Sequence, residues 1–371
     1  MLKRIYVDNF RCLVNFEYRP APLQLLFGAN GSGKSTVFEV LTALRQFITW
    51  GNSTGTVFPS HALTAWQTRS EQTFELEIEG NGGAYVYSLV IEHDRVVNQS
   101  HVKSEELRFE RNPLYLFDGE NAHLFGDDCS EGPVYPQDGT RSGVSSVPAR
   151  QDYKRLTWFR ARMGMMYVLA IDPLRMALAS LGEQAAPDPG VTNFASWYRH
   201  LAQESPARMA PLFDSLREVI DGFSGLSLGA VGETARLLRV VFQHREDQGA
   251  ASQEFQLNVD QVSPGQRSLI ALFTILHCAV RTDLTLCIDE PDNFIALREM
   301  QPWLAQLRDR VEQEKSQCLL ISHHPEFIDL LAVKHGALFT RAGQGPVRIK
   351  PFEWSEADAV RPSEIVARGW E

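Results

Sequence analysis

The most specific chemical signal in the sequence is a run that matches G-x-x-x-x-G-K-[ST]: Gly28, Ala29, Asn30, Gly31, Ser32, Gly33, Lys34 and Ser35, with Thr36 next. Glycines allow successive backbone N–H groups to curl around phosphate oxygens, and Lys34 supplies a point charge for the β- and γ-phosphates. The Ser35 hydroxyl is suited to binding Mg²⁺. An apolar run precedes the loop and an amphipathic stretch follows it, so the pattern predicts a nucleotide site rather than a chance glycine turn.

Two adjacent carboxylates end a second apolar run, at residues 284–290. At the end of a buried strand, Asp289 could hold Mg²⁺ together with Ser35, directly or through water. Glu290 could polarise the attacking water as a general base. A solvated acidic turn is the competing interpretation. The presence of the phosphate loop elsewhere in the chain favours the catalytic interpretation of these two carboxylates.

A Ser-Pro-Gly-Gln turn lies upstream of that strand. Ser263 is expected to cap the N-terminus of a helix. Pro264 suits a first helical turn but removes one N–H donor. The Gly265 N–H remains able to donate, with Gln266 beside it. A simple Ser-Pro helix start is the alternative.

Two neighbouring histidines, His323 and His324, follow a further apolar run. Adjacent residues of an extended chain point to opposite faces, so we do not expect both to bind one metal ion. His324 is expected to begin the next helix.

The elements needed to position these residues can be predicted from periodicity. In the N-terminal third we predict strands at 2–7, 14–18 and 23–27, a helix at 34–48, and an antiparallel subdomain from about 73 to 125 that begins with a hairpin of 74–78 and 85–91. Residues 126–150 are rich in Gly, Asp, Ser and Pro, which predicts a long exposed loop. After a strand at 165–171 and helices within 194–221, strands and helices alternate. Such alternation indicates βαβ units and a parallel sheet.

Bulk properties exclude some classes of protein. The chain has 371 residues, 44% of them hydrophobic and 22% charged, which is typical of a folded protein with a core. Its net charge of −10 disfavours uniform coating of DNA. No apolar run approaches the length of a spanning helix, and the first ten residues lack a signal-peptide core. We therefore expect a soluble cytoplasmic protein without a membrane partner.

The motifs together resemble the SMC/RecF/OLD branch of ABC ATPases, close to AAA family ATPases of bacterial defence and DNA-repair loci. The matching segments are Tyr6–Arg11, the phosphate loop, 263–266, 286–292 and 322–326. The resemblance implies an α/β P-loop NTPase fold: an ABC ATPase head with a mixed or parallel sheet core, an antiparallel β-subdomain and a helical insertion. We expect one ATPase domain with an N-terminal lobe (1–125), a loop and helical insertion (126–235) and a C-terminal lobe (236–371).

The resemblance also implies roles for particular residues. Ser263, Gly265 and Gln266 would form the signature that meets the γ-phosphate bound by the other subunit, although Pro264 replaces the usual glycine. His323, selected by the Pro-Glu that follows the pair, would sense the γ-phosphate. Arg11 would approach the phosphates, with a plain surface arginine an equally weighted alternative. Residues 291–293 would form the D-loop at the dimer interface.

From these roles we expect an ATP- and Mg²⁺-dependent head-to-tail homodimer that hydrolyses ATP. We expect it to regulate a separate effector, with a nuclease as the candidate, in antiviral defence. No segment suits a long coiled coil or a Toprim domain, and a Q-loop glutamine could not be placed. The alternative is a RecF-like repair ATPase that binds DNA through the basic run between Arg141 and Arg162. A transporter nucleotide-binding subunit is disfavoured by the long insertion and the altered signature.

Overall fold

The structure, a computed structural model, describes residues 1–244, 253–354 and 360–369, which divide into two units. The first unit comprises Met1–Val168, Asp283–Cys287 and Gln317–Glu371. The second comprises Leu169–Thr282 and Ile288–Ser316. None of the described helices is both long enough and apolar enough to cross a bilayer.

The described strands, in chain order, are β1 (Leu2–Asp8), β2 (Phe16–Tyr18), β3 (Leu23–Phe27), β4 (Glu71–Gly80), β5 (Gly83–Asp94), β6 (Gln99–Phe109), β7 (Asn112–Phe117), β8 (Asn121–Phe125), β9 (Glu131–Pro136), β10 (Met166–Leu169), β11 (Ala179–Ser180), β12 (Phe223–Val231), β13 (Ala235–His244), β14 (Gln253–Asn258), β15 (Thr285–Asp289), β16 (Gln317–Ile321), β17 (Gly336–Arg341) and β18 (Val347–Lys350). The helices are α1 (Lys34–Trp50), α2 (Thr54–Val57), α3 (Gly143–Ser146), α4 (Lys154–Gly164), α5 (Phe194–Glu204), α6 (Met209–Val219), α7 (Pro264–Thr274), α8 (Leu297–Gln313), α9 (Pro325–Phe327), α10 (Val333–His335) and α11 (Pro362–Arg368). Two π-helical segments, Ile275–Ala279 and Ile328–Ala332, follow α7 and α9.

A six-stranded sheet carries the phosphate loop, in the strand order β10-β15-β16-β3-β17-β18. Strands β16 and β17 both run parallel to β3, whereas β18 is antiparallel to β17. Every residue of β16 is buried, as expected for a parallel strand covered on both faces. The prediction of a mixed or parallel sheet core is therefore confirmed.

An eight-stranded antiparallel sheet lies in the first unit, in the order β2-β1-β4-β5-β6-β7-β8-β9. Along β4, buried residues alternate with half-buried ones, because successive side chains point to opposite faces. The predicted hairpin is present, and Asn81 (φ 49°) and Gly82 (φ 84°) form its two-residue turn. Positive φ at both central positions suits the right-handed twist of paired strands. Both strands of the hairpin are longer than the alternating segments, 74–78 and 85–91, from which they were predicted.

Residues 126–150 do not form one exposed loop, as the composition had predicted. They contain β9 and α3, and the side chains of Val144 and Val147 are buried. The buried Glu105 carboxylate holds the N-terminus of α3. It accepts hydrogen bonds from Ser142 Oγ (2.5 Å) and from the Gly143 N–H (2.8 Å). The polar composition thus did not indicate an ordered segment, because the residue that holds it, Glu105, lies on β6 and outside the segment.

The second unit contains an antiparallel sheet in the order β11-β13-β12, with β14 paired to β13. Strand β12 lies within the predicted loop and helical insertion (126–235), at residues where the sequence had predicted no strand. Helices α5 and α6 do occupy the predicted helical region. The indole N–H of buried Trp303, on α8, donates to the Leu272 carbonyl on α7 at 3.1 Å.

Candidate nucleotide-binding site

The phosphate loop leaves β3 and enters α1 through three glycines with positive φ. Their φ angles are 134° at Gly28, 76° at Gly31 and 95° at Gly33. Side-chain-bearing residues rarely adopt these angles, so the glycines allow the chain to curl. Gly33 is also the N-cap of α1, and the first turn of that helix has no acidic side chain. The positive end of the helix dipole therefore faces the loop, which favours an anion there.

The hairpin of β17 and β18 braces the two ends of this loop. A Cβ added at Gly28 would lie 2.2 Å from the Phe339 carbonyl oxygen. One added at Gly33 would lie 2.5 Å from a Val347 methyl group. One added at Gly31, in the middle of the loop, would meet no atom within 4 Å. The loop is thus packed at its ends and open at its centre, where the motif predicts that phosphate binds.

Lys34 is buried and its ammonium group is held within the loop. It donates to the carbonyl oxygens of Gly28 at 3.1 Å and Ala29 at 2.9 Å, and to Ser32 Oγ at 3.3 Å. An ammonium group has three donors and no acceptor, so these oxygens orient a positive charge beside the open centre of the loop. This arrangement fits a polyphosphate ligand.

The next two residues differ in their surroundings. Ser35 is exposed in the first turn of α1, as a metal ligand at that position needs to be. Thr36 Oγ1 instead accepts a hydrogen bond from Cys12 Sγ at 3.6 Å. Across the described ranges, no group of three His, Cys, Asp or Glu side chains could hold a metal alone. Mg²⁺ commonly binds through one or two protein oxygens plus substrate phosphates and water, so the exposed Ser35 hydroxyl fits that pattern, and the predicted role of Asp289 stays a prediction.

Arg11 lies in the turn after β1, with φ 48°. Its guanidinium group forms an exposed ion pair with Glu39 of α1 at 2.9 Å. Glu39 comes one helical turn after Ser35, which places Arg11 beside α1. The contact of Arg11 with phosphate stays a prediction.

Asp289 ends β15, and Glu290 follows it in the left-handed region at φ 48°. This backbone conformation is unfavourable for a residue with a side chain and is common at functional sites. Asn293 holds the turn: its side-chain amide donates to Glu290 Oε2 at 2.9 Å, and its N–H donates to the Glu290 carbonyl at 3.2 Å. The exposed Glu290 carboxylate is thus held in one orientation.

The signature turn begins α7 as the sequence predicted. Ser263 is the N-cap, and its Oγ accepts from the Gln266 N–H at 3.2 Å while Gln266 Oε1 accepts from the Ser263 N–H at 3.3 Å. This reciprocal pair is a capping box. A Cβ at Gly265 would lie 2.5 Å from the Phe294 carbonyl oxygen, so the turn also packs against the segment that follows Glu290. Sequence reasoning missed Phe294, whose only signal was a bulky apolar residue in a polar turn.

His323 and His324 follow β16, the parallel neighbour of β3. Ile321 pairs with Leu26, so His323 and the phosphate loop leave the sheet at the same edge. His323 is exposed. His324 caps α9, since its Nδ1 accepts from the Glu326 N–H at 3.2 Å. The predicted role of His324 as a helix-start residue is confirmed.

Part of the basic run predicted as a DNA-binding patch serves the fold, and DNA binding by the run stays a prediction. Arg162 is buried and donates to Thr285 Oγ1 at 2.6 Å. Arg160 donates to carbonyls at the end of α3, including Val147 O at 2.6 Å, and Arg155 lies over the Phe109 ring. Three of the cations are thus committed to the fold.

Two segments of the chain match families of known proteins. Residues 4–127 match the family described as "AAA domain", and residues 202–329 match the family described as "AAA domain, putative AbiEii toxin, Type IV TA system". No curated protein sequence matches the chain.

Solved structures of SMC heads share the fold. One is an SMC head bound to the C-winged helix domain of ScpA, with a TM-score of 0.54 and 11% identity over 97% of this chain and 99% of that one. Another is an SMC head with an extended coiled coil bound to the C-terminal domain of ScpA, derived from Pyrococcus furiosus. Its TM-score is 0.50 and its identity 10%, over 100% of this chain and 99% of that one.

The fold and the family matches define a P-loop ATPase with an SMC-like head, which binds and hydrolyses ATP. Two of its segments match AAA-domain families, and its fold is similar to that of SMC heads.

Proposed function

We propose that ATP binding joins two copies of this ATPase head to tail. The phosphate loop of one subunit and the signature turn of the other would then enclose each nucleotide. The observation that carries the proposal is the surface beside the signature. Ser263 is exposed at the start of α7. Phe294, whose backbone carbonyl lies against this turn, has a side chain that is 57% exposed.

The surface suits a contact that forms and breaks. A large aromatic side chain beside polar helix-terminal groups is typical of the centre of a protein interface. The capping box presents Ser263 and Gln266 in a fixed geometry. The γ-phosphate held by one subunit would also contact this helix start on the other subunit. That contact would attract the two subunits to each other only while ATP is bound.

In this proposal each site residue has one task. Gly28 to Thr36 bind the phosphates, and Ser35 and Asp289 hold Mg²⁺, which neutralises phosphate charge when it is bound. Glu290 takes a proton from the attacking water. His323 contacts the γ-phosphate, so loss of that group would weaken the dimer.

We further propose that the dimer controls a separate effector in a defence system, with a nuclease as the candidate. The family matched by residues 202–329 is described by a toxin and a toxin–antitoxin system, and the similar SMC heads were solved with ScpA domains bound. Expression with the neighbouring genes should yield an ATP-dependent complex. DNA degradation by the purified chain alone would contradict a separate effector.

The composite site can be tested by mixing two inactive variants, Lys34→Ala and Ser263→Arg. In a head-to-tail dimer of one of each, both defects fall in one site and the other site is intact. Equal mixing should therefore restore ATPase activity, up to about half of the wild-type level if every dimer is mixed, because each mixed dimer has one working site.

The matched control places both substitutions in one chain and mixes it with wild type. Each mixed dimer then has one defect in each site, so it should be inactive. Failure of the two single variants to complement each other, while both remain folded, would show that the nucleotide is not shared between subunits.

A further inference from the structure

An exposed tryptophan lies beside the phosphate loop, outside every motif found in the sequence. The Trp66 side chain is 44% exposed. The guanidinium carbon of Arg341, at the end of β17, lies over its ring, 5.3 Å from the centroid. Both residues belong to the first unit, as does the phosphate loop.

Arg341 connects this ring to the loop. Its Nη1 donates to the Gly31 carbonyl in a long hydrogen bond of 3.5 Å. Its Nε donates to the Gly345 carbonyl at 2.7 Å, and its Nη2 to the Gln344 carbonyl at 2.9 Å. The planar cation is therefore fixed by its own hairpin and touches the loop at Gly31, the glycine whose outer side is open.

We propose that Trp66 and Arg341 form the base-binding surface for a purine nucleotide whose phosphates bind at Gly28 to Ser35. The phosphates occupy the open centre of the loop, and the Arg341 contact at Gly31 places the aromatic surface within reach of the rest of the same nucleotide. A base has a flat π face, and stacking on an aromatic side chain contributes about 1–3 kcal/mol. The Arg guanidinium also stacks on flat rings.

A second Trp–Arg pair shows what an ordinary surface pair looks like in this chain. Trp50 is 57% exposed, and the Arg45 guanidinium lies over its ring at 5.0 Å. Trp50 is the last residue of α1, whereas the phosphate loop leads into the first residue of that helix, Lys34. A 17-residue helix separates them by about 25 Å at 1.5 Å per residue. Trp50 is therefore a matched control for Trp66.

The experiment compares two ligands, Mg-ADP and inorganic triphosphate, by titration calorimetry on the full chain. The inference rests on the nucleotide site at the loop, not on dimerisation. Trp66→Ala should weaken ADP binding about 5- to 150-fold, the equivalent of one lost stacking contact, and leave triphosphate binding unchanged. Trp66→Phe should retain most of the ADP affinity. Trp50→Ala should leave the affinity for both ligands unchanged.

Wild-type protein gives an independent test that needs no variant. It should bind ADP more tightly than UDP, because a purine stacks over a larger area than a pyrimidine. Equal affinity for ADP and UDP, or an equal loss of ADP and triphosphate binding in Trp66→Ala, would overturn the base site. Absence of triphosphate binding in wild type would instead overturn the phosphate site, and the base site with it.

Discussion

Three glycines of the phosphate loop have different physical reasons for being glycine. Gly28 and Gly33 are closely approached by Phe339 and Val347, whereas Gly31 has open space around it. The motif predicted all three positions and their place between a strand and a helix. It could not predict the bracing hairpin, because β17 and β18 lie about 300 residues away in sequence and carry no phosphate-binding pattern.

This difference predicts unequal effects of two alanine substitutions. Gly28→Ala should lower the free energy of unfolding by about 3 kcal/mol or more, because its Cβ would collide with a backbone carbonyl. Gly31→Ala should cost only about 1–2 kcal/mol, the strain of positive φ. Urea unfolding of both variants measures the difference. Equal losses would show that bracing by β17 does not distinguish the two positions.

A buried histidine gives the protein a pH-dependent stability. His93 Nε2 lies 2.9 Å from Gln72 Oε1, and the Gln72 amide donates to the carbonyls of Asn9 and Ala62. Gln72 Oε1 is therefore the acceptor, and His93 is neutral with its proton on Nε2. Burial, with the nearby Arg95 charge, lowers the pKa of His93 from 6.5 to about 4.

As the pH falls below 6.5, the unfolded chain takes up a proton at His93 before the folded chain does. Stability should therefore fall by about 1–3 kcal/mol between pH 6.5 and pH 4. Urea unfolding across this range should show a shallower loss in His93→Gln than in wild type. His244→Gln, at an exposed position of the second unit, is the control. An unchanged slope in His93→Gln would refute the assignment.

At the scale of elements, the sequence was most informative where a pattern was long and regular. The spacing of apolar residues predicted α1, and alternation predicted β4 and β5. The prediction of an exposed loop at 126–150 was wrong, because the order of this segment depends on a residue that is distant in sequence. Glu105 is fully buried on β6 and accepts from Tyr87 Oη, Ser142 Oγ and the Gly143 N–H. Composition alone cannot reveal such a partner.

The Glu105 network predicts how this segment is held. Glu105→Ala leaves buried donors without an acceptor and should cost about 2–4 kcal/mol of unfolding free energy. It should also speed proteolysis within 137–150, whereas Glu105→Gln, which keeps an acceptor oxygen, should cost less. Mass spectrometry of limited digests locates the cleavage. Wild-type cleavage in this segment as fast as in Glu105→Ala would contradict the anchoring role.

For the molecule as a whole, the sequence predicted the ATPase class because its diagnostic residues lie in short contiguous motifs. The structure adds that the signature turn packs on the segment after Glu290, through Gly265 and Phe294. That contact joins Gly265 to a residue outside every motif, so the motifs could not have predicted it. In the proposed mechanism, this contact would connect Glu290 with the interface between subunits.

The central claim is that bound ATP joins two chains, and Glu290→Gln tests it most directly. Removing the proposed general base should preserve ATP binding and block hydrolysis, so the joined state should accumulate. Light scattering should give twice the chain mass with Mg-ATP and a single chain mass without it. Adding Lys34→Ala to the same variant should abolish the dimer. A single chain mass for Glu290→Gln both with and without ATP would contradict the account.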